Sequence, residues 1–207
     1  MPKKTLPSVA NNPNATDKVA NAILAFIGKI PDTARHQDAN PSKVSREITS
    51  NAAAKAARTA GLLALPPGPI GWLTILPELV AVWKIQAQMV SDIAATYGKK
   101  STLTQEQMLY CLFRHTAAQA VRDIVVRVGE RFLVRRASLK TLQMVAQRVG
   151  VHVTQRAIGK GISRWLPIVG AAGVGAYAYY DTGRVAATAI ELFEKEITIE
   201  PKAGEVA

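Results

Sequence analysis

The sequence has little cysteine and no long uninterrupted apolar run, and each shortage excludes a class of protein. Cys111 is the single cysteine, so an intramolecular disulfide is excluded, which fits a reducing compartment. A membrane-spanning helix needs about 20 consecutive apolar residues. The two main apolar stretches fall short, because residues 61–76 include three prolines and residues 165–180 lie between Arg164 and Asp181. No apolar run follows the lysines near the start, so a secretory signal peptide is not expected.

Motifs for catalysis, metal binding and nucleotide binding are also missing. His36, His115 and His152 are too scattered for a zinc site, and Gly159-Lys160-Gly161 lacks the flanking residues of a P-loop. Cys111 and His115 share a face of a predicted helix, but a thiolate–imidazole pair needs an orienting group and an open site. Cys111 also sits in an apolar pattern typical of a core. We therefore expect no enzyme activity, no cofactor and no metal.

The basic residues are unevenly distributed along the chain. The net charge is +11 at pH 7. Residues 119–164 carry ten basic and two acidic side chains, whereas residues 165–207 carry three basic and six acidic ones. A basic surface attracts anionic lipid, nucleic acid or an acidic protein.

The apolar residues recur at helical spacing along most of the chain, which predicts a single all-α domain of about six or seven helices and no strand of useful length. The predicted helices run over about residues 16–30, 42–61, 74–97, 104–135, 138–158 and 181–197. Residues 1–15 are predicted to be a mobile arm, residues 16–197 the helical domain and residues 198–207 a flexible tail.

The helix that begins at Thr104 carries two local signals. Thr104 and Gln107 form a capping box. Further on, Arg127, Arg131 and Arg135 are spaced by four residues, which predicts a basic stripe along one helix face.

The two apolar stretches dominate the hydrophobic pattern. Small residues in WLPIVGAAGVGAYAYY (165–180) would let another backbone approach closely. Three prolines in GLLALPPGPIGWLTIL (61–76) exclude a continuous helix there. We predict two apolar Pro/Gly-rich helical hairpins packed together, either within the core or at the membrane interface. Glu78 and Asp181, the nearest acids, would serve as charges at helix N-termini or as buried polar anchors.

Residues 45–195 resemble the bacterial EcsC family. The resemblance is carried by AARTAGLLALPPGPIGWLTILPELVAVWKIQAQMVSDIAATYGKK and by LPIVGAAGVGAYAYYDTGRVAATAIELF. The features similar to the family are Gly61, the turn at 66–68, Gln86, Gln88, Tyr97-Gly98 and the segment 167–170. The resemblance implies an α-helical, membrane-associated bacterial protein with hydrophobic hairpins, whose name-giving relatives are encoded alongside ABC exporters. It implies no catalytic residue, and the arginine-rich middle of this chain departs from the family pattern.

These patterns favour a non-enzymatic protein of the cytoplasm that binds lipid at the inner face of the membrane. The predicted apolar contact consists of Trp72, Leu73, Ile75, Leu76, Trp165, Leu166, Ile168 and Val169. The residues predicted to meet anionic head groups or an acidic partner are Arg127, Arg131, Arg135, Arg136 and Lys140. Two alternatives stay open. One is a soluble adaptor that docks an acidic protein partner. The other is a nucleic-acid binder: zinc-finger spacing, an RNP-like aromatic pattern and bZIP heptads are missing from the sequence, and a helix-turn-helix stays open.

Overall fold

The computed structural model describes residues 13–64, 75–159 and 167–200, and over these ranges the chain is mostly helical with one small sheet. The elements are α1 (Pro13–Ile27), α2 (Pro41–Leu63), α3 (Ile75–Thr96), α4 (Gln105–Val121), β1 (Val125–Val128), β2 (Arg131–Arg135), α5 (Leu139–Gly159), α6 (Pro167–Glu194) and β3 (Glu196–Glu200). A short 3₁₀ turn, Lys100–Thr102, precedes α4. The all-α prediction is thus right for the bulk of the described chain and wrong for three short strands.

Local capping signals fix where two of the helices begin. The predicted capping box is confirmed, because the Thr104 hydroxyl accepts a hydrogen bond from the Gln107 amide at 3.3 Å and the Gln107 side-chain oxygen accepts one from the Thr104 amide at 3.0 Å. α2 begins after Asn40, whose side chain accepts from the Lys43 amide, and Pro41 occupies the first turn. The predicted N-cap of α3, Thr74, lies outside the described residues.

The helices α2, α3 and α6 pack side by side, with α2 antiparallel to the other two. Ala60, near the end of α2, packs with Val82 of α3 and Ala178 of α6. A Cβ built on Gly61 would lie 3.4 Å from the carbonyl oxygen of Ala171, which shows how closely the backbones of α2 and α6 approach. The end of α2 therefore lies beside the beginnings of α3 and α6.

Helix α6 corrects the prediction that a helix begins at Asp181. Residues 167–194 form one continuous helix, so Asp181 lies in its middle and not at its N-terminus. The helix continues because the apolar stretch is rich in alanine and because Asp181 finds hydrogen-bonding partners on α3 and α4.

Residues 125–135 form a β-hairpin where the sequence pattern predicted a continuous helix through Arg135. β1 pairs antiparallel with β2, and Gly129, with φ of +60°, begins the two-residue turn between them. β3 pairs in parallel with β2, which gives the order β1-β2-β3. Residues 198–200, predicted to begin the flexible tail, complete β3.

The main core lies between the sheet and helices α1, α3, α4, α5 and α6. Phe113 of α4 packs edge-on against Trp83 of α3, with ring centroids 5.4 Å apart. Phe132 of β2 and Phe193 of α6 are fully buried within the same core. The hairpin and the second half of α6 are therefore anchored together by apolar packing.

Candidate functional site

One end of the α2–α3–α6 group exposes large apolar side chains. Leu62 and Leu63, at the end of α2, are 68% and 43% exposed. Residues 65–74 connect α2 to α3, and Trp165 and Leu166 immediately precede α6. Because α2 ends where α3 and α6 begin, both apolar stretches of the sequence join the molecule here. We call Leu62, Leu63 and the first turns of α3 and α6 the apolar end.

The structure places part of the predicted apolar contact at this end. Trp72, Leu73, Trp165 and Leu166 lie outside the described residues. Ile75 and Leu76 begin α3, and Ile168 and Val169 lie in the first turn of α6, although their side chains are outside the described part. The backbones of these four residues thus lie at the same end of the molecule as Leu62.

Two cations near the apolar end were predicted from the sequence to be exposed to solvent, but not to contact lipid head groups. Lys55 and Arg58 are exposed and share a face of α2 with Leu62, at spacings of three and four residues. Arg58 also lines a shallow groove of about 640 Å³ between α2 and α6, whose floor is made of alanine and glycine. The sequence did carry a signal for this contact, because Arg58 and Lys55 lie about one and two helical turns before the apolar stretch 61–76.

The predicted basic stripe does not form on a helix. Arg131 and Arg135 lie on the outer face of the β-hairpin, where they pair with Glu196 at 3.5 Å and with Glu200 at 3.3 Å. Strand periodicity places Arg127 on the opposite face, from which it reaches Glu191 of α6 at 3.3 Å. Acidic residues from the end of the chain therefore partner all three arginines.

The other two predicted head-group residues are exposed. Arg136 follows β2 and Lys140 lies in the first turn of α5, and neither makes an ion pair within the described ranges. All the basic residues predicted from the sequence lie far from the apolar end. Glu191, the partner of Arg127, comes 22 residues after Val169 on α6, and at 1.5 Å per residue this separation is about 33 Å.

A buried polar cluster links the middle of α6 to α3 and α4. His115 Nε2 lies 2.7 Å from Asp181 Oδ1, and Gln86 Nε2 donates to Asp181 Oδ2 at 2.9 Å and to the Thr182 hydroxyl at 3.3 Å. Both members of the His115–Asp181 pair are nearly buried, with side chains 10% and 15% exposed. Of the two interpretations of Asp181, the structure supports the buried polar anchor.

A small cavity lies beside this cluster. It measures about 470 Å³ and opens between α4 and α6, where Arg114 pairs with Glu191 at 2.5 Å. His115 lines it from one side and Arg184 from the other. Arg114, Arg184 and Glu191 place charges around this cavity. His115 is already hydrogen-bonded to Asp181.

Cys111 does not form a nucleophilic pair with His115. Its side chain is completely buried, and this burial raises the pKa of the thiol well above its ordinary value. The thiolate needed for catalysis is therefore disfavoured. His36 and His152 are exposed and far apart in the sequence. Among the side chains the structure describes, no group of three or more histidine, cysteine or acidic residues is arranged to hold a metal.

No protein-family model, curated protein or solved structure matches this chain. The resemblance to the EcsC family accordingly rests on the sequence motifs alone. Within the described ranges, no helix has both the length and the apolar character needed to cross a bilayer.

Proposed function

We propose that the protein binds membranes peripherally by inserting its apolar end into the lipid interface. The observation that carries the proposal is the exposure of Leu62 where α2 ends and where α3 and α6 begin. Both apolar stretches of the sequence, each with a tryptophan, adjoin this end. Tryptophan favours the boundary between lipid and water, so these stretches suit an interfacial position.

The energetics need both apolar insertion and charge attraction. Burying a leucine side chain contributes about 1.5–3 kcal/mol, which is too little from Leu62 and Leu63 for stable attachment against the entropy lost on binding. The apolar stretches beside them would add further buried area. A cation near an anionic surface adds about 1 kcal/mol, and Lys55 and Arg58 are placed to supply it. Peripheral attachment typically requires two such signals together.

The geometry favours Lys55 and Arg58 over the arginines of the hairpin as head-group contacts. Arg127, Arg131 and Arg135 already face carboxylates and lie at the other end of α6. They would meet the membrane that holds Leu62 only if the long axis of α6 lay flat on the surface. We therefore propose an upright orientation, with the β-sheet away from the bilayer.

Vesicle co-sedimentation tests the proposal. We expect the protein to pellet with vesicles that contain phosphatidylserine, less so at high salt, and weakly with pure phosphatidylcholine. The double variant Leu62→Glu/Leu63→Glu should lose this binding. Leu139→Glu/Met144→Glu is the matched control, because it adds the same charge at two α5 side chains that are 69% and 44% exposed. Leu139 lies near the beginning of α4, away from the apolar end. Equal binding by the double variant and the control would overturn the proposal.

A second pair of variants tests the orientation. Lys55→Glu/Arg58→Glu should weaken binding to anionic vesicles, whereas Arg131→Glu/Arg135→Glu should leave it nearly unchanged. The reverse result would assign the head-group contact to the hairpin and contradict the upright orientation. Circular dichroism of each variant checks that the helices are intact.

A further inference from the structure

The two glutamates of β3 lie opposite the two arginines of β2. In the parallel pairing of β2 with β3, Arg131 is opposite Glu196 and Arg135 is opposite Glu200. Both acids come from the segment with negative net charge, and both arginines come from the segment where positive charge is concentrated. The pairing of β3 with β2 thus brings two acids from the negative segment against two arginines from the positive segment.

Strand β3 is less buried than the strand it covers, although Lys195, immediately before it, pairs with Glu130 and accepts a hydrogen bond from Lys99. None of its five side chains is fully buried, and Ile197 and Ile199 are only partly so. Phe132 and Val134 of β2, in contrast, are completely buried in the core. The two ion pairs are solvent-exposed, and such pairs typically contribute about 0.2–1 kcal/mol each. β3 can therefore open locally while the core stays folded.

Departure of β3 would uncover a binding edge with a definite chemistry. The edge of β2 would offer unpaired backbone N–H and C=O groups. Its outer face would present Arg131 and Arg135, which in an extended strand stand about 13 Å apart. A helix cannot pair with the free N–H and C=O groups of this edge, because its own backbone groups are already hydrogen-bonded. An extended acidic segment can pair with them, and its carboxylates four residues apart match the spacing of the two arginines.

We propose that the edge of β2 is a docking site for an acidic β-strand from another protein, and that β3 occupies this site in the free molecule. The incoming strand would pair in parallel with β2, carry carboxylates at the first and fifth positions and place apolar side chains over Phe132 and Val134. β3 itself, Glu-Ile-Thr-Ile-Glu, has this pattern. This mode is strand addition to a sheet edge. It is independent of membrane binding, because the sheet and the apolar end lie at opposite ends of α6.

A labelled peptide with the sequence of residues 195–200, Lys-Glu-Ile-Thr-Ile-Glu, tests the proposal by fluorescence anisotropy on the full chain. In the variant Glu196→Arg/Glu200→Arg, repulsion from Arg131 and Arg135 should release β3. We expect this variant to bind the peptide at least about tenfold more tightly than the wild-type protein, whose site is self-occupied. Hydrogen exchange of the β3 amides should be faster in the variant.

Two further proteins control for charge. Glu47→Arg/Glu194→Arg changes the net charge equally at exposed sites outside the sheet and should bind the peptide no better than wild type. Adding Arg131→Glu/Arg135→Glu to the Glu196→Arg/Glu200→Arg variant should restore the pairing of β3 with β2, with the charges of the two strands exchanged. This fourfold variant should not bind the native peptide. Equal peptide binding by wild-type and released proteins would overturn the proposal, as would unchanged exchange of β3.

Discussion

A Cβ placed on Gly175 of α6 would lie 3.0 Å from the carbonyl oxygen of Ala57 on α2. Real Cβ atoms rarely come so close to a backbone atom, so glycine at this position sets the distance between the two helices. The same contact aligns the end of α2 with the beginning of α6. It thereby positions Leu62 and Leu63 at the apolar end, where the proposed membrane contact lies.

Replacing Gly175 by alanine should destabilise the fold, although alanine is the better helix former. We expect a loss of about 1–2 kcal/mol in the free energy of unfolding, because neither helix backbone can move without disturbing its neighbours. Gly173, two residues away, has nothing within 4 Å of its Cβ position. Gly173→Ala should therefore stabilise the protein by about 0.5–1 kcal/mol. Urea unfolding of both variants measures the two effects, and stabilisation by both substitutions would show that the α2–α6 contact is not tight.

The Asp181 carboxylate should contribute strongly to stability. Asp181→Ala removes the acceptor for both His115 and Gln86 in a nearly buried site, and we expect a loss of about 2–3 kcal/mol. Asp123→Ala is the control, because Asp123 is 70% exposed and pairs only with its neighbour Arg122. Asp123→Ala should change the free energy of unfolding by no more than about 0.5 kcal/mol. Similar urea midpoints for the two variants would argue against the polar cluster as an anchor.

Tyr110 should make the fold sensitive to alkali. Burial raises the pKa of Tyr110 to about 12, whereas an unfolded tyrosine ionises near pH 10. Between these values the unfolded state loses a proton that the folded state keeps, so stability falls as pH rises. The loss from this group at pH 11 should be about 1.4 kcal/mol. Tyr110→Phe keeps the ring and its contact with Phe132 but has no phenol to ionise. Its stability should therefore not show this loss between pH 10 and pH 12. Parallel stability–pH curves for the two proteins would contradict the raised pKa.

Local signals in the sequence predicted the elements that depend on neighbouring residues. The capping box at Thr104 and the apolar spacing of α3 are examples, because each is decided within a few residues. The β-hairpin was missed because Arg127, Arg131 and Arg135 fit a helix face at a spacing of four. The available signal was Gly129-Glu130 between the apolar-rich runs 124–128 and 131–135, which is typical of a two-residue turn.

The features that the sequence pattern did not predict depend on contacts between residues far apart in the chain. β2 is completed by β3, whose paired residues lie 65 positions further along the chain. Asp181, in the middle of α6, is hydrogen-bonded to His115 and Gln86, which lie 66 and 95 positions away in the sequence. The sequence pattern identified the apolar stretches and the arginines. It could not show that they lie at opposite ends, because this separation depends on α6 being one continuous helix.

Quenching of tryptophan fluorescence by brominated lipids tests membrane insertion most directly. Trp83 is buried beside Phe113, whereas Trp72 and Trp165 belong to the apolar stretches that adjoin the apolar end. With anionic vesicles, the variant Trp83→Phe, which keeps Trp72 and Trp165, should be strongly quenched. The variant Trp72→Phe/Trp165→Phe, which keeps Trp83, should not be quenched. Quenching of neither variant, under conditions where wild-type protein co-sediments with the vesicles, would contradict insertion of the apolar end.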